Sequence, residues 1–170
     1  FFSWGWAEPW LPSVKLSRIL GENKKLRSSA DLKSILYAFY DASVYSSYVD
    51  AAPISSDLVN FYSKGLTFLK TISEKGYGGH VTIRSKKNAL AWHLEKVIGE
   101  IGPFKFSSNQ TERFDDAVKK SGLVISSYDS TTALEAITSN HPCILFIDER
   151  FWELSEKAKP IFAKLENCGV

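Results

Sequence analysis

The chain has 170 residues, 44% hydrophobic and 24% charged, and its 21 basic side chains against 19 acidic ones give a net charge of +2. That length and apolar content suit one globular domain with a buried core and exclude a disordered tail. No apolar run reaches the ~18 residues of a membrane span, the near-neutral charge leaves no general nucleic-acid footprint, and two cysteines, Cys143 and Cys168, exclude a disulfide framework or a four-cysteine zinc site.

Reduced thiols point to a cytosolic setting. Methionine is absent, and the opening Phe1-Phe2-Ser3-Trp4-Gly5-Trp6 lacks the basic start and cleavage site of a signal peptide. With the close on Cys168-Gly169-Val170, these ends predict a piece of a longer protein. Residues 1–31 are expected to be an interdomain linker. Its first part carries Trp4, Trp6 and Trp10 and is broken by Pro9 and Pro12. Its second part is a polar, basic loop with Lys15, Arg18, Lys24, Lys25 and Arg27.

Residues 32–170 form the predicted domain. The apolar run 33–40 predicts a buried strand. Ser55-Ser56-Asp57 then signals a helix start, and Leu58, Phe61, Tyr62, Leu66, Leu69 and Ile72 recur at helical spacing up to a stop at Gly76-Tyr77-Gly78-Gly79. Further strands are predicted at 80–85, 104–107, 123–126 and 143–147. Helices are predicted between them at 88–101, 111–120 and 132–138, and a last helix at 151–166, bent near Pro160. The strands are continuous apolar runs, as when both sheet faces are covered. Alternating strands and helices imply parallel strands with crossovers. The expected fold is α/β: a Rossmann-like, doubly wound parallel sheet of about five strands flanked by helices.

In such sheets a ligand sits at the carboxyl ends of the strands, near the point where strand order reverses. The turn after the fourth strand, Ser126-Ser127-Tyr128-Asp129-Ser130-Thr131-Thr132, carries five Ser or Thr hydroxyls in seven positions, just before a helix. The first turn of a helix has unpaired N–H groups and a partial positive charge. Hydroxyls beside it add donors, so a phosphate fits there without a lysine. Arg84 stands at the neighbouring strand end. A capping box, Thr132 with Glu135, explains those two residues alone. It does not explain Ser126, Ser127, Ser130 and Thr131. Ser107, after the third strand, is a further polar candidate at the same edge. His80, His93 and His141 have no metal-ligand spacing. Asp148-Glu149 reads as the charge pair of a helix N-terminus, and Asp41 is a loop acid after the first strand.

The segment from Leu123 to Ile137 resembles the donor-binding, C-terminal domain of GT-B glycosyltransferases, where a strand runs through a small-polar turn into a helix carrying a glutamate. Pro142-Cys143-Ile144-Leu145-Phe146 resembles the strand that follows. More specifically, the chain resembles a family of surface-carbohydrate transferases. Phe2-Ser3-Trp4-Gly5-Trp6, Thr82-Ile83-Arg84, the stretch from Val124 to Glu135, and Phe151-Trp152-Glu153-Leu154 with Ala158-Lys159-Pro160 match in order. After the second strand this chain departs from that pattern, with Ser85-Lys86-Lys87-Asn88 where an aromatic-proline-histidine stretch is expected.

The resemblance implies polysaccharide biosynthesis: transfer of a sugar from a nucleotide-activated donor to a surface glycan. It places the donor phosphates on Ser127, Ser130, Thr131 and Thr132. Glu135 would meet ribose or sugar hydroxyls, and Arg84 would neutralise phosphate charge, with Ser107 a further phosphate-binding candidate beside it. It implies no bound metal or other cofactor. The acceptor site and the catalytic base, which this chain does not identify, would come from an N-terminal domain of the same protein. The setting it implies is cytoplasmic, including the inner face of the membrane. Three other readings fit parts of the sequence. They are a sugar-nucleotide epimerase on the same scaffold, a flavodoxin-like or receiver-like signalling module, and an interaction domain using the tryptophan-rich start.

Overall fold

The computed structural model describes residues 2–3, 14–15, 31–42, 53, 56–85, 92, 94–108, 110–128, 131–148, 150–152 and 154–167. Two short strands, β1 (Phe2–Ser3) and β2 (Val14–Lys15), pair in parallel. Trp4, Trp6 and Trp10 lie outside the described residues.

The main sheet has five strands, all parallel. They are β3 (Asp31–Ala38), β4 (Val81–Ser85), β5 (Lys105–Ser108), β6 (Ser121–Ser126) and β7 (Cys143–Leu145), in spatial order β5-β4-β3-β6-β7. The helices are α1 (Ser56–Glu74), α2 (Leu94–Ile101), α3 (Phe114–Lys120), α4 (Thr131–Thr138) and α5 (Lys159–Asn167). The chain steps outward from β3 to β5, then crosses back and steps outward again through β6 and β7. Crossovers of one hand put the helices of the two halves on opposite faces.

The buried residues follow that rule. Tyr37, Val81, Ile83 and Ile125 form one cluster with Phe61, Tyr62 and Leu69 of α1 and Leu94 and Ile98 of α2. Leu36, Val124 and Cys143 form the other, with Ala117 and Val118 of α3 and Ala136 of α4. The doubly wound expectation therefore holds. The flavodoxin-like alternative does not, because such a sheet sets its first strand beside its third. Here β3 lies between β4 and β6.

Helix α1 stops where glycine permits it. Gly76 has φ 83°, and the N–H groups of Gly76 and Tyr77 bond back to the carbonyls of Ser73 and Ile72. Another glycine is fixed by close approach. The β3–β6 register is irregular between Asp31 and Ile35, and a Cβ on Gly122 would lie 2.7 Å from the Leu32 backbone. Gly122→Ala should therefore cost about 1–3 kcal/mol, read as a lower urea midpoint with an unchanged slope. An unchanged midpoint would mean that this contact relaxes freely. Cys143 is buried in the second cluster, and burial pushes its thiol up to about 11, so it stays protonated at neutral pH.

Several expected boundaries need correction, among them the fifth strand, which ends at Leu145 and not at 147. The first strand ends at Ala38, so Phe39 and Tyr40 lie beyond it. The third begins at Lys105, and Phe104 is a buried lead-in residue. The third helix begins at Phe114, because hydroxyls stitch the residues before it: Thr111 Oγ1 accepts from Ser108 N–H at 3.1 Å, and Gln110 N–H reaches Ser108 Oγ at 3.3 Å. The last helix starts at Lys159, not 151. Phe151 and Trp152 turn inward onto the first cluster instead, and Pro160, expected to bend the helix, occupies its first turn, where a missing N–H costs nothing. The first part of the predicted helix 88–101 falls largely outside the described residues, and α2 starts at Leu94.

Candidate functional site

The reversal of strand order lies between β3 and β6, so their carboxyl ends flank the crevice where doubly wound sheets bind ligands. One register row crosses the whole sheet there: Ser107, Arg84, Ala38, Ser126, Leu145. It belongs to the face that carries α3 and α4, since alternate residues share a face. Arg84 and Ser126 flank β3 and are thus separated by two strand spacings, roughly 10 Å.

On one side of that gap, Arg84 is nearly buried and its guanidinium acts as a brace. It donates to Ser107 Oγ at 2.8 Å, Ser108 O at 3.3 Å and Glu112 O at 2.8 Å. It also lies over the Phe114 ring at 5.8 Å. The expected pair Arg84 and Ser107 is thus in direct contact, and together they tie the β5–α3 turn to the end of β4. Glu112 is further held by an ion pair with Lys120.

On the other side is the turn from β6 to α4. Ser126 is fully buried and donates to Tyr128 O at 2.9 Å, which folds the turn over its own strand. Ser127 is also buried. Its N–H and its Oγ both donate to Ala38 O, at 3.0 and 3.1 Å, and its Oγ accepts from Tyr40 N–H at 3.3 Å. That hydroxyl pins the ends of β3 and β6 together. Thr131 opens α4 and is exposed, and Thr132 follows it, half-buried. Helix α4 thus begins one residue before the expected cap, so Thr132 lies inside the first turn and the Thr132–Glu135 capping box does not form. Glu135 sits in the second turn, half-buried; burial first, and then the charge of Asp115, raise its carboxyl above the usual range. Ser130, expected among the phosphate ligands, lies outside the described residues, as do Asp129 and Glu149.

An aromatic group that the sequence reading did not single out closes the crevice from the α1 side. The Tyr40 ring lies 5.5 Å from Tyr128 and 5.9 Å from Trp152, and Trp152 lies 6.2 Å from Phe61. The signal was available, because Tyr40 ends a predicted strand, and Tyr128 and Phe151-Trp152 each follow one. Tyr62 accepts Ala42 N–H at 2.7 Å, and burial pushes its phenol up, with Asp41 and Tyr40 adding to the shift. Asp148 heads no helix. It accepts from Arg150 N–H and Nε, each at 3.0 Å, and pairs with Lys64. Arg150 first, then Lys64, hold its carboxyl well below the usual range.

Among the described residues no group of three His, Cys, Asp or Glu side chains could hold a metal ion. At the crevice, the α4 start carries two threonines, and nearly buried Arg84 stands at the end of β4 with its guanidinium turned to Ser107 and the β5–α3 turn. No helix among the described residues is long and apolar enough to cross a membrane.

One comparison decides the family. The chain belongs to the LIC12162 family transferases. The match to that family runs over residues 1–170. No curated protein and no solved structure matches the chain. Membership in the LIC12162 family supports a transferase role, and the sheet order supplies a crevice of the kind in which doubly wound sheets bind ligands.

Proposed function

We propose that this chain is the donor-binding domain of a GT-B-type glycosyltransferase, which moves a sugar from a nucleotide-activated donor to a surface glycan. The observation that carries this reading is the strand–turn–helix unit β6–α4 at the reversal point of the sheet, with Thr131 and Thr132 in the first helical turn. Membership in a transferase family supports it.

In this reading the donor's diphosphate lies at the start of α4. The backbone N–H groups of the first turn and the Thr131 and Thr132 hydroxyls donate to it, with Ser130 beside them. Ser127 takes a different part from a direct ligand: its hydroxyl fixes the turn against β3. Arg84 acts through its field from roughly two strand spacings away, because its donors are engaged by Ser107 and the β5–α3 turn. Glu135, one turn further on, is the acceptor for donor hydroxyls. Tyr40, Tyr128 and Trp152 exclude water from the inner end of the crevice. The acceptor glycan and the catalytic base belong to another domain, with the enzyme working in the cytoplasm or at the inner membrane face. A bound anion needs no metal here, since the helix start and Arg84 supply the positive field.

The reading is tested by calorimetry of nucleoside diphosphates against the chain and its Thr131→Ala/Thr132→Ala variant. The variant should bind at least about tenfold more weakly, from the loss of two hydrogen bonds to a charged group. Equal affinity in a folded variant would reject the placement of the phosphates.

A further inference from the structure

On the face opposite α4, a cavity of about 420 Å³ lies between α1 and the segment leaving β7. Small-molecule sites span about 300–1,000 Å³. Phe61, Phe146 and Phe151 line it, Tyr37 backs it, and Lys64 and Asp148 stand at its rim. Phe146 is 38% exposed despite its apolar ring, and it stacks on Phe68 at 4.6 Å, so a flat apolar wall meets solvent.

The rim is charged in a particular way. Asp148 is one carboxylate shared by two cations, Lys64 and Arg150. Both cations also lie near the Phe151 ring, at 5.0 and 5.9 Å. Among the described residues, the rim therefore has positive charge to spare. Behind the walls, the Tyr37 hydroxyl is buried beside Ser127, with no other hydrogen-bond partner among the described residues. A phenol held by one neighbour still has acceptor capacity for a polar group of a ligand.

We propose that this cavity binds a small planar aromatic ligand bearing an anionic group. The ring lies against Phe146 and Phe151. The anion takes Lys64 and Arg150 in place of Asp148, and a polar ring substituent points toward Tyr37. The cavity opens on the α1 face, whereas the β6–α4 turn borders the α3 and α4 face, so this is a second site. It does not depend on where the donor phosphates bind.

Phenyl phosphate is the probe, titrated into the whole chain and followed by amide NMR, with phenol and inorganic phosphate as its separate halves. Phenyl phosphate should saturate and shift the amides of Lys64, Gly65 and Phe146. Lys64→Met, at an exposed position, should weaken it about tenfold. Phe146→Ala should weaken it by a similar factor. Inorganic phosphate binding as tightly as phenyl phosphate would overturn the proposal, because the aromatic walls would then do nothing. Phenol binding as tightly would overturn it from the other side. Absence of saturation, or shifts confined to Thr131 and Thr132, would also reject the site.

Discussion

Replacing Trp152 with alanine should destabilise the chain by about 3–5 kcal/mol, the usual cost of truncating a buried tryptophan. Trp152 is 6% exposed and lies between β7 and α5, where the described residues form neither helix nor strand. Its ring meets Tyr40 from the end of β3, Tyr128 from the β6–α4 turn and Phe61 from α1, at 5.9, 6.4 and 6.2 Å. It is held locally by its N–H on Asp148 O at 3.1 Å. Removing it leaves a void where three separately placed segments converge. Trp152→Phe should recover more than half of the loss. The indole Nε1 is buried without a hydrogen-bond partner, so its removal strands no acceptor. Urea unfolding measures both variants. Equal losses for alanine and phenylalanine would show that the indole nitrogen matters and that its environment here is misread.

The second large effect is at Arg84. Arg84→Leu should cost about 2–3 kcal/mol, because it removes a charged donor from Ser107 Oγ, Ser108 O and Glu112 O and leaves buried acceptors bare. At about 2–4 °C per kcal/mol for a chain of this size, Tm should fall by about 4–12 °C. Arg84→Lys keeps the charge but cannot span acceptors on both the β5 strand end and the following turn, so it should recover less than half of the stability. The same pair of variants separates two roles. If Arg84 acts on a bound diphosphate through its field, lysine restores nucleotide affinity better than it restores Tm. Full recovery of Tm by lysine would contradict the bracing geometry.

Much of the fold was legible in the sequence, for a physical reason. Strands covered on both faces must be apolar throughout, so Leu36-Tyr37-Ala38 and Val124-Ile125 could not be mistaken for surface. The order of the strands was not legible. It depends on which face each helix covers, and the runs that pack there, such as Ala117-Val118 and Phe61-Tyr62, look alike in isolation. The same blindness explains the misplaced last helix. Phe151 and Trp152 have the spacing of a helical start, but their burial against Phe61 and Tyr40 wins over helix formation.

The candidate site was legible in part. Hydroxyls gathered before a helix are a local signal, and the helix does begin there, at Thr131. What each hydroxyl does is not local. Ser127 and Thr131 are indistinguishable as sequence, yet one is buried against Ala38 O and the other is exposed at the helix start. Arg84 met Ser107 only because the β4–β5 register sets them side by side. The Lys64–Asp148 pair, 84 positions apart, left no trace in the sequence at all.

The most direct test of the central claim is amide NMR of the whole chain titrated with CMP, CDP, UDP, GDP and ADP. The account predicts that one or more of the diphosphates produces saturable shifts across residues 126–132, that its monophosphate is weaker, and that the shifts vanish in the Thr131→Ala/Thr132→Ala variant. A folded spectrum with no shifts in that turn, or shifts that survive the double substitution, would contradict it.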